Sequence, residues 1–208
     1  MKTYKIHLLR HGVTEANADG RYIGVTDLPL SPEGLSELLR LKENYQYPGG
    51  VRFFTSPLTR CQQTLQVLYP RCQPEIVEGL RECDFGEWEG KAIRELKNDE
   101  RFLQWIEGKT REIPGGEDTE AFRARVCAAF ESVVNDIIHS GDTEAVICTH
   151  GGVITLLMQL YSLPRLNPKD CLAAPGNGFT LRVTPSVWMN EPLCEALCII
   201  PWEKEDQD

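Results

Sequence analysis

An arginine and a histidine stand side by side after a short apolar run near the start of the chain. The run begins at Ile6, and Arg10, His11 and Gly12 follow its last leucines. A strand that ends this way brings a cation and an imidazole to its carboxyl end, where open α/β sheets place their ligand clefts. A neutral imidazole is a nucleophile, and a guanidinium binds anions such as phosphate. On its own the triplet favours a plainer interpretation, a polar turn after an ordinary strand, because short motifs need context.

Three further segments supply that context. Together with the first they resemble the motifs of the histidine phosphatase superfamily, also called phosphoglycerate-mutase-like. The segments occur in the family's order and span most of the chain, and the resemblance implies phosphoryl transfer through a phosphohistidine. The matching stretches are Arg10-His11-Gly12 with Thr14 and Asn17, Ser56-Pro57-Leu58 with Arg60 to Thr64, Leu80 with Glu82 and Gly86 to Gly90, and Thr149-His150-Gly151-Gly152-Val153-Ile154.

The resemblance also implies a role for each motif residue. His11 is the expected nucleophile that receives the phosphoryl group. Arg10, Arg60 and His150 are expected to surround that group, with Asn17 as a further hydrogen-bond donor. Two guanidiniums offer forked donors that match phosphate oxygens. Their charge also disfavours the protonated imidazole, which leaves His11 neutral for attack.

A carboxylic acid is expected to protonate the leaving alcohol. The family pattern assigns this role to Glu82, two residues after Leu80. As a carboxylate, the same group would then activate the water that hydrolyses the phosphohistidine. Three nearby carboxylates are rival candidates for the general acid. Of these, Glu89 fits the role of an anchor for the loop over residues 79–90 better than that of an acid. The rivals are Asp84, Glu87 and Glu89.

The residues that bind the rest of the substrate are marked less clearly. Many members of the family carry a glutamine before the glycine at position 24, whereas this chain has Ile23. This departure argues against a polar contact to the substrate at that position. We still place Ile23, Gly24 and Gly151 among the residues that bind the substrate or its phosphate. Further candidates for the mouth of the site are Arg21, Tyr22 and the Pro175-Gly176-Asn177 turn.

The resemblance leaves several functions open. Phosphoglycerate mutases are longer, with an insertion after the glutamate motif that closes over the substrate and brings paired arginines. The region from Lys91 to Pro114 is short here and holds no Arg-Arg pair. We therefore expect a phosphomonoesterase that acts on a small phosphorylated metabolite; α-ribazole phosphate, sugar phosphates and a broad range of esters all fit. The alternatives are a cofactor-dependent phosphoglycerate mutase and a non-catalytic module that binds a phosphate ligand.

Other chemistries find no support in the residues. The chain holds neither a Gly-x-Ser-x-Gly nucleophile elbow nor the Cys-x5-Arg of thiol phosphatases. Leu103 stands where a phosphate-binding loop ending in Gly108-Lys109-Thr110 requires glycine. Neither His7 nor His139 shows metal-ligand spacing. We expect no catalytic metal and no cofactor.

Composition and charge narrow the possible partners. The chain has 41% hydrophobic and 25% charged residues, as globular proteins do, and a formal net charge of -9. This charge opposes binding to nucleic acid or an anionic membrane. The start of the chain lacks the apolar region of a signal peptide, which predicts a cytoplasmic location. The oligomeric state is open, with a dimer as one possibility.

Eight cysteines are present, and none forms a Cys-x-x-Cys pair. We interpret them as reduced, mostly structural thiols, because free cysteine commonly packs as a small apolar residue. The acidic end of the chain, residues 203–208, is interpreted as a solvated or frayed tail.

Alternating strand and helix patterns predict how these residues are brought together. We expect one α/β domain over residues 1–208, a three-layer sandwich with a mostly parallel central sheet and helices on both faces. Predicted strands cover residues 4–9, 51–55, 75–77, 145–148, 179–183 and 197–200. Predicted helices begin after Ser31 and after Ser56-Pro57, and cover residues 92–106 in one or two pieces, 120–139 and 151–161.

Overall fold

The structure, a computed structural model, describes residues 2–204. Its strands are β1 (Tyr4–Arg10), β2 (Tyr45–Gln46), β3 (Arg52–Thr55), β4 (Glu75–Ile76), β5 (Glu144–Thr149), β6 (Ser162–Leu163), β7 (Gly178–Val183), β8 (Cys194–Ile200) and β9 (Trp202–Glu203). Its α-helices are α1 (Glu15–Ala18), α2 (Pro32–Asn44), α3 (Thr59–Leu68), α4 (Ile93–Leu96), α5 (Glu100–Ile106), α6 (Thr119–Ser140), α7 (Gly151–Tyr161) and α8 (Pro185–Trp188). Short 3-10 turns cover Glu78–Leu80, Gly86–Trp88 and Pro168–Cys171.

Within residues 2–204, seven strands form a mixed sheet in the order β4-β3-β5-β1-β7-β8-β6. Strand β1 lies at the centre, parallel to β5 and antiparallel to β7. The pairs β3–β5, β3–β4 and β6–β8 are parallel, so β7 alone among these strands opposes its neighbours. The predicted three-layer architecture with a mostly parallel central sheet is confirmed.

Side chains of the central strands alternate between two apolar layers. In β5, Ala145 and Ile147 join a core built with α6 and α7, whereas Val146 and Cys148 join a second core built with α2 and α3. All four side chains are buried. Successive residues of a strand point to opposite faces, so a continuous apolar run indicates a strand covered on both sides. The sheet is therefore the middle layer.

Helix boundaries follow local capping chemistry. The Ser31 hydroxyl accepts the backbone N–H of Gly34 at the start of α2, and the Asp118 carboxylate accepts two N–H groups at the start of α6. Gly141 ends α6 in a left-handed conformation with φ +80°. These are the positions at which the sequence predicts the two helices to begin and the long one to end.

Some expectations differ from the structure in detail. The helix predicted over 92–106 in one or two pieces forms two, α4 and α5, with Asp99 capping the second. Leu35, Leu38, Leu39 and Leu41 are spaced in the sequence as one apolar stripe of α2, yet Leu39 is 51% exposed. Trp202–Glu203 pairs with Tyr45–Gln46 instead of forming a frayed end, and residues 205–208 of the acidic tail lie outside the described residues.

One close backbone approach holds α2 against the strand that leads to the site. A Cβ atom at Gly34 would lie 2.1 Å from the Val13 carbonyl oxygen, so a larger residue would push the helix away. The same carbonyl accepts the N–H of Ser31 at 3.0 Å. The glycine in the first turn of α2 therefore has a packing reason that outweighs its low helix propensity.

All eight cysteines are free, and five of them are buried. Across residues 2–204, no helix is both long enough and apolar enough to cross a membrane. The prediction of a single domain over the whole chain stays a prediction.

A buried histidine of β1 lies in the core, outside the four motifs. His7 is fully buried, and its Nδ1 lies 2.9 Å from the Thr180 hydroxyl. Its Nε2 has no hydrogen-bond partner among residues 2–204. Burial lowers the pKa of His7 from 6.5 to about 4, with smaller opposing and reinforcing effects from Glu144 and Lys5. The folded protein therefore holds this imidazole neutral.

We predict that His7 makes the folded state less stable in mild acid. Because its pKa is lowered on folding, the unfolded chain takes up the proton first, and the free energy of unfolding falls as pH drops from 6.5 towards 4. His7→Gln should reduce this slope by up to about 1.4 kcal/mol per pH unit. Urea unfolding measured across that range tests it, with His139→Gln, an exposed histidine of α6, as the control. Equal slopes for wild type and His7→Gln would contradict the prediction.

Candidate active site

Two neighbouring parallel strands bring two motif histidines together. Arg10 is paired with Thr149 at the ends of β1 and β5, and the His11 N–H donates to the Thr149 carbonyl at 3.0 Å. His11 and His150 therefore follow their strands at the same sheet edge. Their ring centroids lie 5.1 Å apart in an edge-to-face arrangement. Residues separated by more than a hundred positions thus become direct neighbours.

The hydrogen bond of His11 determines which ring nitrogen is free. Its Nδ1 lies 2.6 Å from the Gly12 carbonyl oxygen. A carbonyl only accepts, so Nδ1 carries the proton and Nε2 keeps its lone pair in the neutral ring. Burial, with the charges of Arg60 and Arg10, lowers the pKa of His11 to about 3. The imidazole is therefore unprotonated, with a free lone pair on Nε2, over the whole neutral range.

Arg60, in the first turn of α3, is held by backbone carbonyls. It is 1% exposed, and its two terminal nitrogens donate to the carbonyls of Thr26 at 2.9 Å and Gly24 at 2.7 Å. The carboxylate of Glu89 in turn accepts the N–H groups of Gly24 and Val25, at 2.9 and 3.2 Å. Glu89 thus anchors the segment that orients Arg60, as the sequence predicts.

Arg10 approaches the site from the end of β1. Its Nη1 donates to the Ala173 carbonyl at 2.7 Å, whereas its buried Nε has no partner among residues 2–204. Buried donors are nearly always satisfied, so an open one marks a place for a ligand acceptor. A Cβ atom at Gly151 would lie 3.2 Å from the centre of this guanidinium. The absence of a side chain at Gly151 therefore leaves room for the Arg10 guanidinium.

His150 precedes α7 and is fully buried. Its Nε2 is hydrogen-bonded to the Ser56 hydroxyl at 2.7 Å, and the Cys61 sulfur lies 3.6 Å from the same nitrogen. Burial lowers the pKa of His150 well below its usual value, reinforced by His11 and Arg60. The role of Ser56 was not foreseen, although the residue stands inside the second motif; its place opposite His150 depends on β3 and β5 pairing.

The Glu82 carboxyl group reaches the amino end of α7. One oxygen accepts the N–H of Cys83 at 3.0 Å and the other accepts the N–H of Gly152 at 2.9 Å. Burial raises the pKa of Glu82, although these two N–H groups and the charges of Arg60 and Arg10 act in the opposite direction. Glu82 is thus a buried carboxyl group that keeps its proton to a higher pH than an exposed glutamate.

Asn17 and Ile23 line an open cleft of about 520 Å³ beside Arg10. Asn17 accepts the N–H and the hydroxyl of Thr14 through its Oδ1, which leaves its Nδ2 donor for other contacts. The candidates for the mouth are divided: Arg21, Tyr22 and Pro175 line this cleft, whereas Gly176 and Asn177 bond to the backbone of Arg10. The remaining lining residues are Val13, Ala18, Gly20, Phe85 and Ile93.

Gly24 takes a less direct part than its neighbour Ile23. Its N–H donates to Glu89 and its carbonyl accepts from Arg60. A Cβ atom there would lie 1.7 Å from the Cys83 carbonyl oxygen, so a side chain would separate the two loops. Gly24 therefore shapes the surroundings of Arg60, and its contact with substrate stays a prediction.

Comparison with known proteins decides the family. The model of the histidine phosphatase superfamily (branch 1) matches residues 6–176. This chain belongs to the histidine phosphatase superfamily. As a member, it is a phosphoric monoester hydrolase of the histidine phosphatase type, and the resemblance found in the four motifs is confirmed.

Relatives of this histidine phosphatase carry both phosphatase and mutase names. It is 28% identical over 203 residues to an adenosylcobalamin/alpha-ribazole phosphatase of Salmonella typhimurium, covering 94% of each chain. It is 32% identical over 178 residues to the probable phosphoglycerate mutase GpmB of Salmonella paratyphi C, covering 80% of this chain and 81% of that one. The crystal structure of phosphoglycerate mutase from Thermus thermophilus superposes with a TM-score of 0.71 at 29% identity, over 96% of this chain and 99% of that one.

We predict that Glu89 supports activity through Arg60. Glu89→Ala removes the acceptor for the N–H groups of Gly24 and Val25, and this frees the segment whose carbonyls hold the Arg60 guanidinium. Loss of charge-assisted hydrogen bonds should lower kcat/KM for p-nitrophenyl phosphate about 10- to 100-fold. Glu87→Ala is the matched control, because its carboxylate is half-exposed and pairs with the exposed Arg101. Full activity of Glu89→Ala would refute this role.

Proposed function

We propose that this histidine phosphatase is a metal-independent phosphomonoesterase that passes the phosphoryl group of a small phosphorylated metabolite to His11 and then to water. The observation that carries the proposal is one buried arginine, Arg60, and one partly buried arginine, Arg10, beside a neutral histidine. Among residues 2–204, no carboxylate lies within ion-pair distance of Arg10 or Arg60. Their charge is therefore available to a phosphoryl group, and preorganised charge of this kind is commonly the largest catalytic contribution.

In the first step, Nε2 of His11 attacks phosphorus while the ester P–O bond breaks. The proposal assigns the proton of the Glu82 carboxyl group to the departing alkoxide, which leaves as an alcohol. The products of this step are phosphohistidine and the Glu82 carboxylate. The raised pKa of Glu82 and the lowered pKa of His11 both supply the protonation states that the step requires.

In the second step, water attacks the phosphohistidine. The Glu82 carboxylate takes a proton from that water, the N–P bond breaks, and inorganic phosphate leaves. His11 returns to its neutral form with Nδ1 still donating to Gly12, and Glu82 is again protonated. The cycle consumes one water and needs neither a redox partner nor a second substrate.

The guanidiniums of Arg10 and Arg60 provide the positive charge that a metal ion would otherwise bring to the phosphoryl group. Among residues 2–204, no group of three or more histidine, cysteine, aspartate or glutamate side chains is arranged to hold a metal ion. The two arginines can neutralise phosphoryl oxygens in its place, since their forked donors match the geometry of phosphate. Activity in the presence of a chelator is the direct test of this part of the proposal.

The cleft beside Arg10 supports a small substrate with an apolar or ring-shaped leaving group. Tyr22 and Phe85 lie edge to face, with ring centroids 5.2 Å apart, and Ile23 and Ile93 complete an apolar wall. Small clefts of this kind bind through apolar walls and a few polar groups. One relative is named an adenosylcobalamin/alpha-ribazole phosphatase, and such a wall would accept alpha-ribazole as the leaving group. A cytoplasmic location stays a prediction, and the oligomeric state stays open.

Mutase activity is the second candidate, because one relative and one structural neighbour are named as phosphoglycerate mutases. The region from residue 91 to 114 argues against it. Its arginines, Arg94, Arg101 and Arg111, are all exposed, and none of them lines the cleft beside Arg10. A sugar acid phosphate carries a carboxylate besides its phosphate, and none of these three arginines is placed in the cleft to bind that carboxylate. A module that only binds phosphate would have no use for a buried carboxyl group with a raised pKa.

We predict that the purified protein hydrolyses p-nitrophenyl phosphate in the presence of EDTA. His11→Ala should reduce turnover at least about 10⁴-fold, because it removes the nucleophile on which both steps depend. Steady-state assays measure both results, with His139→Ala as the control for loss of a histidine elsewhere. Rapid acid-free quenching with a ³²P-labelled ester should trap label on His11. Restoration of activity only by a divalent metal would refute the proposal.

The same preparation separates hydrolase from mutase. A panel of phosphate esters should include 3-phosphoglycerate, alone and with its bisphosphate cofactor. Release of inorganic phosphate without isomerisation supports the phosphomonoesterase, whereas 2-phosphoglycerate formed faster than phosphate would make the mutase the correct function. The panel also ranks substrates with aromatic, sugar and carboxylate leaving groups.

We predict that Glu82→Gln abolishes the part of the pH dependence of kcat/KM that comes from ionisation of the Glu82 carboxyl group. Because its pKa is raised, wild-type Glu82 is a proton donor at low pH and loses this capacity as pH rises through that pKa. The ratio of wild-type to Glu82→Gln kcat/KM for an alkyl phosphate should therefore be large in acid and fall about tenfold per pH unit above it. Taking the ratio removes the ionisation of the substrate. A ratio that does not change with pH would exclude Glu82 as the acid.

A further inference from the structure

The guanidinium of Arg125, on α6, contacts the backbone of the loop that carries Glu82. Its Nη1 donates to the carbonyls of Gly79 and Arg81, each at 2.9 Å. Its Nη2 reaches the carbonyl of Glu82 itself at 3.4 Å. One side chain of a helix that holds no recognised motif therefore binds three carbonyls in a stretch of four residues.

Glu117 determines the orientation of that guanidinium. Its carboxylate accepts Nε of Arg125 at 2.9 Å and Nη2 at 2.6 Å, a two-point contact that fixes the plane of the group. The two side chains are 16% and 13% exposed, and Arg81 Nη2 lies 3.8 Å from the same carboxylate. A pair so far from solvent keeps its geometry better than surface pairs do.

Two further hydrogen bonds, one from the end of β5 and one from the residues before α6, hold the loop over residues 79–90. The Thr149 hydroxyl donates to the Leu80 carbonyl at 2.8 Å, and the Glu117 N–H donates to the Asp84 carbonyl at 2.9 Å. With the three bonds of Arg125, every carbonyl from residue 79 to 82 has a donor. A Cβ atom at Gly79 would lie 2.6 Å from the Ala129 Cβ atom, so the loop rests directly on α6.

This attachment fixes one side of a carboxyl group that must span two elements. The backbone of Glu82 is held to α6, whereas its carboxyl oxygens accept from Cys83 and from Gly152 at the start of α7. Movement of the loop away from α7 would draw the carboxyl group out of that position. A misplacement of about 1 Å in a reacting group can lower the rate about 100-fold.

We propose that Arg125, oriented by Glu117, is a positioning residue that holds the Glu82 loop where the carboxyl group, bonded at the amino end of α7, can deliver its proton. This inference rests on the proposed function, in which Glu82 is the general acid. Arg125 touches neither the substrate nor the reacting atoms. It acts through the backbone of residues 79–82, and Glu117 acts through Arg125.

The leaving group of the substrate provides the test. Nitrophenolate departs without a proton, whereas an alkoxide needs one. The parameter kcat/KM reports only the steps up to release of the alcohol, so it isolates proton donation.

Arg125→Lys keeps the charge but loses the forked contacts. It should lower kcat/KM about 100-fold for an alkyl phosphate and less than about threefold for p-nitrophenyl phosphate. Glu117→Gln should show the same pattern, about tenfold. Arg123→Lys, an exposed arginine on the same helix, should resemble wild type.

A double-mutant cycle separates positioning from general damage. If Arg125 acts through Glu82, then Arg125→Lys should have no further effect on the alkyl phosphate in a Glu82→Gln background. Losses that multiply, or equal losses for both substrates, would overturn the inference. If Arg125→Lys does not fold, the cycle with Glu117→Gln gives the same decision. A leaving-group effect in Glu82→Gln but in neither of the other variants refutes only the positioning role; no leaving-group effect in Glu82→Gln refutes the acid itself.

Discussion

The constraint on which the structure around the site depends is that, among residues 2–204, neither the buried Arg60 nor the partly buried Arg10 has a carboxylate partner. A charge removed from water must be compensated, and here the compensation comes from backbone carbonyls. Gly24 and Thr26 accept from Arg60, and Ala173 accepts from Arg10. Each carbonyl belongs to a loop that must therefore come to the same edge of the sheet. Hydrogen bonds from the two guanidiniums to these carbonyls hold the loops at that edge.

Burial disfavours the charged form of each titratable group at the site. It lowers the pKa of His11 and His150 and raises the pKa of Glu82, so all three favour their uncharged forms. The arginines stay protonated, although burial lowers their pKa as well. The positive charge of the site therefore comes from the guanidiniums alone, and it complements the negative charge of a phosphoryl group. The lowered pKa of His11 and the raised pKa of Glu82 follow from one physical cause.

The elements that supply these residues are fixed by the sheet. Parallel pairing of β1 with β5 places the ends of both strands at one edge, and the helices α3 and α7 begin there. Loop 79–90 is added from the side, between α6 and α7. Its attachment is the part of the site that uses the most side chains remote from the reaction. Glu89 holds its end near Gly24, and Arg125 holds its beginning near α6.

The sequence alone determined the nature of the site and most of the elements. Apolar periodicity and capping residues act within one or two turns, so β5, α6 and α7 were predictable from local signals, and the motifs identified His11, Arg10, Arg60, His150 and Glu82 as a group. The tertiary structure decided which ring nitrogen of His11 is free, that Ser56 bonds to His150, that Leu39 faces solvent and that Trp202–Glu203 pairs with β2. It also decided the place of Arg125. Apart from the contact of His11 with its neighbour Gly12, these features depend on distances between residues tens of positions apart, and only the packing of the layers sets such distances.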